Sequence, residues 1–205
     1  MCGRYRFDDG RDDIELKGII EALNRREDGA DIKTEGELRP TDVAPVLANS
    51  RRLEPVYFGM QWGYTLPDGK RIINARSETA AQKPLFRGGF RQRRCAVPAV
   101  NYYEWRHSGP RTKYDIRPAD GGLFFMAGIY RLEADRPVFA ILTRASSEDV
   151  AFIHDRMPVI LLPRASVSAW LDPASDPQAI LQSAVLHVVS TPEPAAQEQL
   201  RMALD

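Results

Sequence analysis

Cysteine and histidine are scarce in this chain. Only Cys2 and Cys95, and only His107, His154 and His187, occur among its 205 residues. Two cysteines make no disulfide framework, and a reducing cytosolic compartment is the expectation that follows. No CxxC pair occurs and the histidines are scattered, so neither a metal site nor a cofactor is expected. No apolar run approaches the roughly 18–20 residues of a membrane helix. The first residues carry Arg4, Arg6, Asp8 and Asp9 with no apolar core, which is not the pattern of a secretory leader. Net charge is also missing, with 28 basic against 28 acidic residues, and this argues against a nonspecific polycation. Lysine is the rarer base, with 5 of those 28, so arginine dominates. Arginine's planar fork suits phosphate recognition.

What is present fits one folded domain. The length suits one, and 43% hydrophobic residues supply a core. We expect it over residues 1–190, followed by a loose Pro/Ala/Glu-rich tail over 191–205. Charge is uneven: from Arg71 to Arg94 stand seven basic residues against Glu78 alone. The apolar spacing of Ile14, Ile19, Ile20 and Leu23 predicts a helix from Asp12 to about Arg26, and a polar loop follows over Glu27–Arg39. Strand-like runs occupy Val43–Ala48, Val56–Trp62, Arg94–Val97, Tyr102–Arg106, Lys113–Arg117, Leu123–Tyr130, Val138–Thr143, Met157–Leu162 and His187–Ser190. Hairpin chemistry marks Ser108-Gly109-Pro110 and Asp120-Gly121-Gly122. Short helices are expected from a Ser77 cap through Ala81, ended by Pro84, after Ser146 or Ser147 toward His154, and over Arg164–Leu171 and Pro177–Ser183. Many strands and few helices predict an α+β fold around a mainly antiparallel, barrel-like sheet.

The most unusual chemistry lies at the start, in Met1-Cys2-Gly3-Arg4-Tyr5. An initiator methionine is generally removable before a residue as small as cysteine. Its loss leaves an amine and a thiol on adjacent carbons, which no internal cysteine offers. The amine can condense with an aldehyde to an imine, and the thiol can close a five-membered thiazolidine on the imine carbon. Both groups titrate near neutrality in their reference state, at about 8 and about 8.5. Position alone leaves Cys2 open as an incidental residue.

Three further segments accompany it: Ile73-Asn74-Ala75-Arg76-Ser77-Glu78-Thr79; Cys95-Ala96-Val97-Pro98-Ala99 with Tyr102-Tyr103-Glu104-Trp105; and Ile153-His154-Asp155-Arg156-Met157-Pro158-Val159-Ile160. Together with the N-terminal segment, and with Val43-Ala44-Pro45, Trp62-Gly63 and Ala140-Ile141-Leu142-Thr143 in the same order, the chain closely resembles the SOS-response-associated peptidase (SRAP) family over roughly residues 1–190. The resemblance implies a monomer that binds single-stranded DNA and caps abasic sites through a thiazolidine on Cys2. It implies an active-site set of Cys2, Asn74, Glu104 and His154. DNA contacts are implied at Arg4 and Arg76, with Trp62, Trp105 and Thr143 as further candidates; either tryptophan reads equally well as core. It also implies self-removal of Met1.

These residue types suit that chemistry. Glu104 can take the proton of the Cys2 amine, and a carboxylate in a covered cleft has a raised pKa that favours proton transfer. His154 can act as acid or base in imine formation. Asn74 can hold the amine without adding charge, and Arg4 and Arg76 can grip phosphates. The chain departs from the family pattern at Thr41-Asp42, where an acid faces the approach of DNA. It departs again in the short segment Leu66-Pro67-Asp68-Gly69-Lys70, which lacks a tryptophan, and at Thr191-Pro192-Glu193-Pro194. Two other functions stay open at this level: a cysteine peptidase acting on peptide bonds, and a noncatalytic reader of modified DNA. A lyase side reaction through the imine is a further possibility.

Overall fold

The structure, a computed structural model, describes residues 2–8, 10, 13–25, 31–162, 164–183 and 187–193. Its centre is a ring of five strands. These are β3 (Val43–Asn49), β4 (Pro55–Trp62), β8 (Arg94–Ala99), β11 (Phe124–Glu133) and β12 (Arg136–Ala145). Each bonds to the next in the order β12-β4-β3-β8-β11, and β11 pairs back onto β12, which closes the barrel. All these pairings are antiparallel except β12 with β4. The expected α+β, mainly antiparallel barrel-like fold is therefore what forms. β8, β11 and β12 read as continuous apolar runs because both of their faces are covered. Gly128 marks a close approach, since a Cβ there would stand 2.9 Å from the Cys95 sulfur.

A second sheet carries the chain start. It runs β15 (Val188–Pro192), β10 (Lys113–Pro118), β9 (Asn101–Trp105), β1 (Arg4–Arg6) and β2 (Glu37–Leu38). Tyr5 on β1 meets Trp62 on β4 edge to face, with ring centroids 5.3 Å apart, so one apolar core joins the two sheets. A second core lies on the other barrel surface, under α3 (Pro84–Gln92), α4 (Ala165–Leu171) and α5 (Pro177–Ser183).

The strand that positions the site is one the sequence did not reveal. β5 (Tyr64–Thr65) and β6 (Arg71–Ile72) form a small hairpin, closed by the Leu66–Lys70 turn. The chain then returns as β7 (Asn74–Arg76), parallel to the second half of β12, with Asn74 opposite Ile141. The ten residues of β12 thus serve β4 first and β7 next.

Several expectations are corrected. The first helix, α1, spans Ile14–Asn24, capped by Asp13. Ile14 is 88% exposed and Leu16, two positions on, takes its place in the core. The loop after it contains β2, while residues 26–30 lie outside the described part. Ser77 does not cap its helix; α2 (Ser77–Ala80) begins at an Arg76 cap with no side-chain bond. Pro84 opens α3 rather than ending a helix, since its missing N–H is harmless at the first helical position. After Ser147 the chain makes only successive turns, with Val150 and Ala151 donating to the Ser147 carbonyl. Asp120–Gly122 links β10 to β11 in different sheets and so is not a hairpin. The expected Met157–Leu162 run splits into β13 (Arg156–Pro158) and β14 (Ile160–Leu161). The strand β15 runs through Pro192, and the rest of the expected tail, from 194 on, falls outside the described residues.

Candidate active site

Cys2 is completely buried where the two sheets meet. Its backbone carbonyl accepts a 2.8 Å hydrogen bond from Asn74 Nδ2, which reaches over from β7 on the barrel. Its thiol points back to the Arg4 carbonyl at 3.7 Å. Burial pushes the Cys2 thiol pKa far up, and the negative charge of Glu104 adds to the effect. Glu104 is itself buried on β9, directly after Tyr103, the partner of Arg4 on β1. Burial raises its pKa above the ordinary carboxylate range, and the charge of His107 opposes that rise. A carboxyl so placed favours its protonated form more than an exposed glutamate does, which suits proton exchange near neutrality.

His154 is buried at the end of the turns after Ser147. Its ring lies edge to face against His107, with centroids 4.3 Å apart. Its Nδ1 has two neighbours of opposite character. The Arg156 backbone N–H donates to it at 2.9 Å, and Asp155 Oδ1 stands 2.7 Å away. The first contact needs a lone pair on Nδ1 and the second needs a proton there. Burial lowers the His154 pKa, which favours the neutral ring, and a neutral ring that accepts the Arg156 N–H at Nδ1 carries its proton on Nε2.

Arg156 locks this loop to the barrel. Its guanidinium takes both oxygens of Glu78, at 2.7 and 2.8 Å, and also donates to the Thr143 carbonyl at 2.6 Å. The ion pair holds Glu78 down to a pKa of about 2. Sequence reasoning gave Arg156, Glu78 and His107 no role. The first two stood inside the quoted motif segments, where a bidentate pair 78 residues apart left no local sign. His107 and His154 are 47 positions apart, which hid their contact.

The expected DNA-contacting residues divide. Arg76 is exposed at the end of β7. Arg4 is half-buried, paired with Glu37 at 3.2 Å and laid over the Trp105 ring at 4.9 Å. Trp105 keeps part of its surface open. Trp62 is the core tryptophan of the two readings left open: it is fully buried, stacked on Phe139, and donates Nε1–H to the Ile73 carbonyl at 3.0 Å. No ring face remains for a base. Thr143 is likewise fully buried, with its carbonyl taken by Arg156, and it offers nothing to solvent. Asp42 does not stand as an open acid, because Lys33 Nζ lies 2.8 Å from it and the Arg39 N–H donates to it at 2.9 Å. Among the described residues no cluster of His, Cys, Asp and Glu is arranged to hold a metal ion, and no helix is long and apolar enough to cross a membrane.

Fold and site together define an α+β barrel protein with a buried cysteine near its N-terminus, bonded at its carbonyl by an asparagine, with a buried glutamate near enough to raise its thiol pKa and a histidine pair on the neighbouring turns. The chain belongs to the SOS response associated peptidase (SRAP) family, whose model matches residues 1–200. Similar proteins include YoqW of Bacillus subtilis, described as an abasic site processing protein and 34% identical over 89% of this chain and 85% of its own. YobE of the same organism carries the same description, at 35% identity over 91% and 89%. So does YedK of Escherichia coli, at 33% over 81% and 78%. Among solved structures, a Bacteroides thetaiotaomicron protein superposes with a TM-score of 0.75 at 22% identity, covering 97% of this chain and 94% of that one. A phage-related protein of Bordetella bronchiseptica gives 0.70 at 24%, covering 95% of each chain.

Proposed function

We propose that this protein processes abasic sites in single-stranded DNA by bonding to them through Cys2, once Met1 has been removed. The Cys2 amine attacks the open-chain aldehyde of the abasic sugar, and loss of water gives an imine. The thiol sulfur then adds to the imine carbon while its proton passes to the nitrogen, closing a thiazolidine that joins protein and DNA. Glu104 accepts the proton that the amine sheds on attack. His154, with its Nε2–H, supplies a proton to the departing hydroxyl. Asn74 orients the amine by holding the Cys2 carbonyl. The observation that carries this reading is the buried seat of Cys2 where the sheets meet, with Asn74 of the barrel bonded to its carbonyl and the buried Glu104 of β9 near enough to raise its thiol pKa. An incidental N-terminal cysteine needs no buried carboxylate beside it. The family membership and the relatives' shared description support the same substrate.

Denaturing electrophoresis with an abasic-site oligonucleotide tests it. Protein verified by mass to begin at Cys2 gives a heat-resistant, slower band, while an intact oligonucleotide gives none. Cys2→Ala gives no stable adduct. A stable adduct from Cys2→Ala rules out the thiazolidine, and no adduct from verified wild-type protein rules out the whole reading.

A further inference from the structure

We propose that His107 is a positioning residue that acts through His154, packing its ring in place and, when cationic, keeping a proton off it. The proposal rests on the active-site reading above and adds a residue to it.

His107 sits at the turn between β9 and β10, exposed to solvent, while its ring meets the buried ring of His154 at 4.3 Å with planes 85° apart. Its backbone N–H donates to the Ile153 carbonyl at 3.2 Å, so the hairpin is docked on the very loop that carries His154. The hairpin tip is held in shape by Arg106, whose Nε donates to the Ser108 carbonyl at 2.7 Å and whose N–H donates to the Thr112 carbonyl. The same strand that carries Glu104 therefore delivers His107 to His154, and the charge of His107 reaches Glu104 as well.

The electrical setting of His154 makes a neighbouring imidazole consequential. Its own segment supplies Asp155, which favours a proton on the ring, and Arg156, which opposes one. The β9–β10 hairpin contributes His107, again in opposition. Burial is the largest influence and acts in the same direction as the cations. Two cationic imidazoles at this separation repel strongly, so a proton on His107 disfavours one on His154. The consequence is structural as well as electrical. While His154 is neutral, its Nδ1 accepts the Arg156 N–H. Protonation would break that bond and turn Nδ1 toward Asp155. His107 thus biases a two-way hydrogen-bond choice toward the arrangement that keeps the proton on Nε2.

The test uses full-length protein with isotopically labelled histidine, and follows the His154 ring by NMR from about pH 5 to 8. His107→Gln removes the charge and keeps a polar chain, and His107→Lys keeps a cation without the ring. Melting temperature verifies that each variant is folded, which an exposed position permits. The expected result is an upward shift of the His154 titration in His107→Gln and none, or a downward one, in His107→Lys. The acid limb of the crosslinking rate profile follows: near pH 6 the Gln variant loses several-fold in rate against wild type, and the Lys variant does not. An unchanged His154 titration in His107→Gln overturns the proposal, as does an upward shift of the same size in His107→Lys. If wild-type protein forms no adduct at any pH, the crosslinking function fails, while the NMR titration still decides the role of His107.

Discussion

Asn74 Nδ2 holds the carbonyl of Cys2 at 2.8 Å, and its Oδ1 is buried with no partner among the described residues. One amide therefore anchors the chain start and leaves an acceptor beside it. An acceptor without charge can orient a nearby amine without adding a second carboxylate to Glu104, which would hold the amine as ammonium.

Asn74→Ala should strip the Cys2 carbonyl of its donor inside the core. Leaving a buried acceptor unpaired costs about 1–3 kcal/mol, which a fall in melting temperature reports. Asn74→Asp is the sharper variant. It keeps the shape and sets a carboxylate against the Cys2 carbonyl, so crosslinking should fall further than in Asn74→Ala. Equal crosslinking rates in wild type and both variants would show that the anchor has no part in the chemistry.

Glu104 separates catalysis from stability through pH. Its pKa is raised in the folded protein by burial, so the native state binds the proton more tightly than the unfolded chain. Stability from this group is therefore present at low pH and declines as pH rises through the folded pKa. Glu104→Gln removes that decline, so the melting temperature of the variant should fall less than that of wild type between pH 5 and neutrality. Crosslinking should drop by about 10²–10⁴-fold, as for a lost general base. A variant that reacts at the wild-type rate makes Glu104 structural.

Local signals carried much of the architecture. The strands that pair into the barrel have long apolar or alternating runs, and most stood out to within one or two residues, as with Val43–Asn49 and Pro55–Trp62. What escaped was short or set by distant contacts. β7 has three residues, and its pairing depends on β12, some 67 positions away. Ile14 and Leu16 both suit an apolar stripe, and only the packing of α1 decides between them. In the candidate site, Cys2 stood out by its place after the initiator methionine, while Asn74 and Glu104, which alone read as a turn former and a strand residue, were singled out by the family resemblance. Trp62 and Thr143 belong to motif segments for packing reasons, which a resemblance does not distinguish from contact with DNA.

The Glu78–Arg156 pair should matter to the His154 loop more than to global stability. Glu78 is half exposed, so after solvent screening the pair contributes only about 1 kcal/mol even with bidentate geometry. The Glu78 pKa is depressed to about 2, so this contribution is present above about pH 4.5 and is lost as pH falls toward 2. Arg156→Lys cannot reproduce two parallel bonds to Glu78 together with one to Thr143. The expectation is a small change in melting temperature, broadened His154 resonances and a reduced crosslinking rate. Sharp, unshifted His154 signals in Arg156→Lys would show that the lock is dispensable.

Arg76 and Arg4 should differ in what they give to DNA. Arg76 stands exposed at the end of β7, two residues after Asn74, which bonds Cys2, so its guanidinium is available to a phosphate beside the reacting sugar. Arg4 is already shared: Glu37 takes one of its nitrogens, and the same carboxylate also holds Lys113. Much of the Arg4 charge is spoken for inside the protein, and its plane lies over Trp105. Each phosphate contact on a single strand contributes about 0.7 to the slope of log affinity against log salt. Arg76→Ala should therefore flatten that slope by about 0.7 with little change in melting temperature. Arg4→Ala should flatten it less and lower the melting temperature more, because it strips Trp105 and leaves Glu37 with one cation fewer. Salt titrations of single-strand binding, run beside thermal melts of the same samples, compare the two. An equal loss of slope in both variants would mean that Arg4 leaves Glu37 to reach the DNA, and an unchanged slope in Arg76→Ala would remove Arg76 from the interface.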